Sequence, residues 1–106
     1  MPKFLLEVRY TQEGLKGVVA KGGSARLEAA TAAAESAGGT LESFYFAFGD
    51  TDVYVIADFP DNTAAAALAL TVGAAGGASV RTVPLLTPEE VDRAAGAKVS
   101  YRRPGG

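Results

Sequence analysis

The fold of this chain is decided by residues 40–59, TLESFYFAFGDTDVYVIADF, in the middle of the sequence. Two segments rich in aromatic and β-branched residues flank the turn-forming residues 49–51, a composition typical of a β-hairpin. Both segments are apolar on two sides, so both faces of the hairpin require cover. The first strand of this hairpin is predicted to place Leu41, Tyr45 and Ala47 on one face and Phe44, Phe46 and Phe48 on the other.

Before the hairpin, the sequence predicts one strand and a largely helical stretch. Apolar and polar residues alternate from Lys3 to Tyr10, which predicts a strand. Thr11 is suited to cap a helix or turn that is interrupted at Gly22 and Gly23, and Ser24 is expected to cap a long alanine-rich helix that ends before Gly38. The buried stripe of that helix is predicted to consist of Leu27, Ala30, Thr31 and Ala34.

After the hairpin, the sequence predicts a helix, a strand and a short terminal helix. Asp61 or Asn62 can cap a helix that reaches about Ala75, and residues 79–86 form the fourth predicted strand. The sequence TPEE at residues 87–90 combines a capping threonine, a proline at the first helical position and a glutamate at the third. This combination predicts the start of a short helix.

The order βαββαβ predicts an α+β, ferredoxin-like fold, in which two main helices cover one face of a four-stranded antiparallel sheet. The other face would expose several large apolar side chains, more than monomers usually present to water. We therefore expect this face to be buried against a second copy of the chain, in a homodimer or larger homo-oligomer. Residues 1–97 are expected to form one domain, and residues 98–106 a flexible tail.

Composition excludes several classes of function. Among 106 residues, 48% are hydrophobic and 21% are charged, the formal net charge is −2, and there is neither cysteine nor histidine. Thiolate metal sites, disulfides and every catalytic relay through histidine are thereby excluded. The basic residues form no cluster, so nucleic acid is not expected as a partner. No apolar run reaches the roughly 20 residues of a membrane span, so we expect a cytoplasmic protein without a membrane partner.

The end of the first strand supplies one set of candidate ligand-binding residues. Tyr10, Thr11, Glu13 and Lys16 lie where a strand passes into a helix, and together they could bind a small polar ligand. Glu13 beside Lys16 could also act as an acid or base if burial shifted its pKa. In the alternative interpretation Thr11 only caps the helix, Glu13 favours its N-terminus and Gly14 permits close packing.

Further candidates lie on the predicted strands. Glu7 and Arg9 share one face of the first strand and would either line a pocket or pair with each other at a dimer interface. Tyr45 and Tyr54 could stack on a planar aromatic ligand, or simply pack in the core. Asp52, with Asp50, could approach a cation, but the further ligands of a calcium loop are missing. We therefore expect neither a metal nor an organic cofactor.

The sequence resembles the GYD family of small bacterial and archaeal proteins. The matching segments are YTQEG at residues 10–14, SARLEAA at residues 24–30, Gly38 with Gly39, SFYF at residues 43–46, Gly49 to Asp52, and VRT at residues 80–82. Thr51 stands where the motif that gives the family its name has tyrosine. The resemblance implies a dimeric α+β barrel, and it implies no established activity.

Three functions are compatible with these observations. The first is a homo-oligomeric module that binds a small molecule in a cleft between sheet and helices, or that is purely structural. The second is a cofactor-independent enzyme resembling the monooxygenases and isomerases of other dimeric α+β barrels, with Tyr10, Glu13, Arg9 or Glu7 handling protons. The third is a protein that binds another protein through Arg102 and Arg103 in its tail.

Overall fold

Strands and helices follow one another in the predicted order in the computed structural model, which describes residues 1–106. The first helical stretch is itself a separate helix, so the two halves of the domain differ in length. The elements are β1 Lys3–Tyr10, α1 Gln12–Lys21, α2 Gly23–Ser36, β2 Thr40–Phe46, β3 Val53–Asp58, α3 Asn62–Ala74, β4 Ala78–Leu85 and α4 Pro88–Gly96.

The four strands form one antiparallel sheet in the order β2-β3-β1-β4, with β1 and β3 in the centre. Helices α2 and α3 both pack on one face of this sheet, since Ala34 of α2 and Ala65 of α3 belong to the same buried cluster as the central strands. The opposite face carries no helix. This confirms the predicted ferredoxin-like α+β fold.

The core is built mainly from strand residues. Phe4 and Leu6 of β1 and the alternate residues of β3 point toward the helices and are almost fully buried. Phe59, which directly follows β3, is fully buried, and its ring lies 5.8 Å from that of Phe4. The helices contribute only two fully buried side chains, Ala34 and Ala65, and both are small. The large side chains between the helices and the sheet therefore belong mainly to the strands.

Three predicted helix caps are present. The Thr11 hydroxyl accepts a hydrogen bond from the backbone N–H of Gly14, and the Asp61 carboxylate accepts one from Ala64. At α4 the capping box is complete, because the Thr87 hydroxyl accepts from the Glu90 N–H at 3.1 Å while the Glu90 carboxylate accepts from the Thr87 N–H at 2.9 Å. Each cap satisfies backbone donors that the first helical turn leaves without a partner.

The faces of β2 differ from the prediction. Leu41 and Phe44 both face the helices, because the register shifts between Leu41 and Ser43, where a β-bulge adds one residue. The placement of Leu41 on the same face as Tyr45 was therefore wrong, as strict alternation is broken before Tyr45 is reached. The strand also ends at Phe46, so Phe48 lies in the following loop and is fully exposed.

The predicted start and stripe of α2 also need correction. The position before the helix is occupied by Gly22, whose φ of 86° lies in the left-handed region, and Ser24 lies inside the helix without capping it. Leu27 is 42% exposed and lies outside the buried stripe. The residues of α2 and its C-terminus that face the sheet are Ala30, Ala33, Ala34 and Ala37.

Helix α4 and the residues after it extend away from the sheet. All residues from Val91 to Gly106 are exposed, and α4 buries none of its side chains. The molecule measures 57 × 31 × 23 Å with a radius of gyration of 16.8 Å, whereas a compact domain of this length has about 13 Å. None of the four helices combines the length and the apolar character needed to cross a membrane.

Candidate functional site

A cleft of about 630 Å³ opens on the helix side of the sheet, between α1, α2 and the end of α3. Its volume lies within the range of about 300–1,000 Å³ that is usual for ligand pockets. Helix α1 contributes Gly14 and Gly17 to the lining of the cleft, and a Cβ at Gly17 would meet no atom within 4 Å. The side chains that line it include Tyr10, Lys21 and Arg26.

Next to the cleft lies a cavity of about 100 Å³ between the helices and the sheet. Sixteen of the seventeen residues that line this inner cavity are hydrophobic, and the remaining one is Arg26. Cleft and cavity share five lining residues, so they lie next to each other. The shared residues are Tyr10, Arg26, Ala29, Val72 and Ala78.

Small side chains on α2 account for the cavity. Ala29, Ala30 and Ala33 line it from the helix side, and none of their side chains extends beyond Cβ. Alanine favours the helix, but it contributes little volume to the layer below. The cavity is thus a direct consequence of the alanine-rich sequence that made α2 predictable.

Arg26 was not identified from the sequence. Its guanidinium carbon lies 6.0 Å from the centre of the Tyr10 ring, which places the cation over the aromatic face. Its Nε is buried and has no hydrogen-bond partner within the protein. The sequence did contain one indication of its position. Arg26 precedes Ala30 by four residues, a helical spacing that places it on the same side of α2 as the alanines that face the sheet.

Among the predicted residues around the first helix, Tyr10 alone lines the cleft. Thr11 caps α1 and its hydroxyl also donates to the carbonyl oxygen of Gly76 at 2.9 Å, which ties the helix to the turn before β4. Glu13 and Lys16 pair with each other at 3.6 Å, with 81% and 66% of their side chains exposed, and they line neither cleft nor cavity. The structure therefore separates Tyr10 from its three predicted companions.

Four other polar and aromatic residues form one row across the helix-free face of the sheet. Tyr45 lies opposite Tyr54, Tyr54 opposite Glu7, and Glu7 opposite Arg81. The carboxylate of Glu7 is 3.9 Å from the guanidinium of Arg81, so within one chain Glu7 forms an ion pair with Arg81.

Glu7 and Arg9 nevertheless share a shallow depression. It measures about 250 Å³, and Arg81, Asp50 and Thr51 also line it. The Thr51 hydroxyl donates a long hydrogen bond of 3.4 Å to Glu7. This depression and the helix-side cleft lie on opposite faces of the sheet, so Glu7 and Arg9 cannot act together with Tyr10 on one ligand.

Asp52 connects strands by hydrogen bonds. Its carboxylate accepts from the backbone N–H of Tyr10 at 2.8 Å, and its own N–H donates to the carbonyl oxygen of Val8 at 2.9 Å. Its carbonyl oxygen accepts from the N–H of Ala47. Asp52 therefore positions the end of β1, including Tyr10. No group of three or more acidic side chains is arranged to hold a metal ion.

Comparison with known proteins gives one match. The model of the family described as GYD domain matches residues 4–95, which include every element from β1 to β4 and most of α4. No curated protein and no solved structure matches the chain.

Proposed function

Because this chain belongs to the GYD domain family, we propose that it is a homo-oligomeric domain that binds a small molecule between its helices and its sheet. One observation carries the proposal, namely the open cleft with an apolar cavity beside it. Apolar walls with few polar groups are the usual composition of small-molecule sites. The candidate proton-handling residues Glu7, Glu13 and Tyr10 do not converge, so we favour binding over catalysis.

The energetics of the cavity support a ligand. Protein interiors are close-packed and contain few voids larger than a water molecule. Side chains around an unfilled cavity lack packing contacts, which lowers the stability of the folded protein. A ligand that fills the cavity would recover much of this free energy, and binding would therefore raise the thermal stability of the protein.

The binding proposal is tested with small neutral probes. 1-Hexanol and 1-butanol should raise the melting temperature of the parent protein. Ala33→Leu fills the inner cavity and should abolish the shift, whereas Ala32→Leu, on the exposed side of α2, should leave it unchanged. The proposal fails if neither probe stabilises the parent, or if Ala33→Leu responds to the probes as strongly as Ala32→Leu.

The helix-free face supports the homo-oligomeric part of the proposal. Leu5, Ile56 and Val83 lie side by side in the pairing register of β3, β1 and β4, next to Tyr45 and Tyr54. Tyr45 is 72% exposed and Tyr54 40% exposed. An apolar patch of this kind marks an interface.

A second copy is the occupant that we favour for this face. The face also carries Glu7 and Arg81, so that two faces related by a two-fold axis can match acidic with basic side chains. The resemblance to dimeric α+β barrels agrees with this arrangement.

Light scattering tests the oligomeric state. The parent is expected at no less than twice the chain mass of 10.8 kDa. Ile56→Asp places a charge in the middle of the helix-free face and should shift the mass to that of one chain, while Val19→Asp, on an exposed part of α1, should not. A parent of single-chain mass, or an oligomer that tolerates Ile56→Asp, would contradict this part of the proposal.

A further inference from the structure

We infer that the ligand is an organic anion, a carboxylate on a compact apolar body, and that Arg26 binds its carboxylate. This inference rests on the proposed function, because it concerns the same cleft. Three observations support it. The cleft carries only positive charge, the buried Nε of Arg26 has no hydrogen-bond partner, and Arg26 lines both the cleft and the cavity.

The charge of the cleft is entirely positive. Its only ionisable cations are Lys21 and Arg26, and no aspartate or glutamate lines it. Neither cation belongs to any of the ion pairs of the protein, which join Lys3 to Glu42 and Asp58, Lys16 to Glu13, and Arg81 to Glu7. A concave surface with two unpaired cations and no carboxylate attracts anions.

Arg26 has hydrogen-bonding capacity that the protein leaves unused. Its Nε is buried without a partner, although buried polar atoms are nearly always hydrogen-bonded. The Tyr10 ring supports the cation from one side at 6.0 Å. Guanidinium presents its N–H groups as a planar fork that matches the two oxygens of a carboxylate. A bound carboxylate would satisfy Nε and neutralise the charge in one interaction.

The position of Arg26 predicts the rest of the ligand. Arg26 lines both the cleft and the inner cavity, and it is the only charged residue of the cavity. A carboxylate held there directs its apolar part into a space of about 100 Å³. An engineered apolar cavity of about 150 Å³ accepts benzene, so this one suits a short aliphatic chain or a small branched group.

The experiment compares hexanoate with hexanamide by titration calorimetry. The two probes share their apolar chain and differ in charge. The parent should bind hexanoate at least about tenfold more tightly than hexanamide, the difference typical of hydrogen bonds to a charged group. In Arg26→Gln this preference should disappear while hexanamide binding stays the same, and Arg26→Lys should retain part of the preference. Arg93→Gln, on the exposed helix α4, should behave as the parent.

A second measurement uses the unmodified protein, so that the inference can be tested even if a variant does not fold. The Nε–H resonance of Arg26 should shift during titration with hexanoate and stay in place with hexanamide. Equal affinity for the two probes in the parent, or an unchanged preference in folded Arg26→Gln, overturns the inference and leaves the proposed function standing. An Nε–H resonance that hexanoate does not move also overturns it. Absence of binding by both probes overturns the inference together with the proposed function.

Discussion

The backbone of Gly14 in α1 lies directly against the carbonyl oxygen of Gly77, in the turn that leads into β4. A Cβ atom at Gly14 would overlap that oxygen, so the contact requires glycine. The same oxygen accepts a hydrogen bond of 3.0 Å from the N–H of Thr11. The start of α1 is thus fixed to the start of β4, and both glycines line the cleft.

This contact predicts opposite effects for two glycines of the same helix. Gly14→Ala should lower the free energy of unfolding by about 1–3 kcal/mol, as overpacking does. Gly17→Ala should raise it by about 0.5–1 kcal/mol, because its Cβ meets no atom within 4 Å and alanine favours the helix. Urea denaturation of both variants measures the difference, and equal effects would show that Gly14 does not make this contact in solution.

Asp52 is predicted to act on stability and only indirectly on the cleft. Asp52→Ala leaves the Tyr10 N–H without its acceptor and should cost about 1–3 kcal/mol of unfolding free energy. Asp52→Asn keeps an oxygen in place and should cost less. Hydrogen exchange at the Tyr10 amide gives a local readout, which should become faster in the alanine variant. Unchanged exchange there would argue that the bond is not formed.

The ion pairs of Lys3 predict that the protein loses stability at alkaline pH. Its ammonium lies 3.1 Å from Asp58 and 3.2 Å from Glu42, and these two carboxylates, Asp58 foremost, raise the pKa of Lys3 above 10.5. The resulting stabilisation is complete below the pKa of the unfolded chain and is lost as the pH rises through the higher pKa of the folded protein.

Thermal melts between about pH 9 and about pH 12 test this effect, because this interval surrounds the usual pKa of lysine. The parent should lose stability more steeply than Lys3→Met, which lacks the titrating group. Lys98→Met changes an exposed lysine of the tail and should follow the parent. A Lys3→Met curve that is parallel to the parent curve would contradict the prediction.

The capping box of α4 predicts the opposite pH dependence. The backbone N–H of Thr87, followed by its hydroxyl, holds the pKa of Glu90 below 4.5. This stabilisation is present above the pKa of the unfolded state and is lost as the pH falls through the lower pKa of the folded state. At acidic pH the start of α4 should therefore be less helical, and the Cα chemical shift of Val91 should move from the helical value toward the random-coil value. Glu90→Gln should weaken this dependence and Glu89→Gln should not; the reverse pattern would exclude the capping box as its cause.

The sequence was sufficient for the element order and for most boundaries, because the caps and glycine stops are local signals. The turn at residues 49–51, the Asp61 cap and the capping box of α4 depend on residues close in the chain. The bulge before Ser43 had no such signal, since it depends on how β2 pairs with β3. The faces of β2 could therefore not be assigned from alternation alone.

Site residues were harder to predict than elements. Tyr10 was found because it ends a strand, whereas Arg26 lies in the first turn of a helix whose alanines suggested a simple packing face. Whether that face fills the space above the sheet depends on side-chain volumes contributed by three elements. No local pattern contains this information, and for the same reason the separation of Tyr10 from Glu7 and Arg9 was not foreseen.

The alanines of α2 allow the fold and the size of the cavity to depend on different residues. The sheet side fills the core, so residues such as Ala29 and Ala33 can change in size without breaking a buried cluster. Each such change alters the depth of the cavity while Arg26 keeps its place at the entrance. Under the proposed function, single substitutions at these positions would change the length of the ligand that fits, while the fold would stay the same.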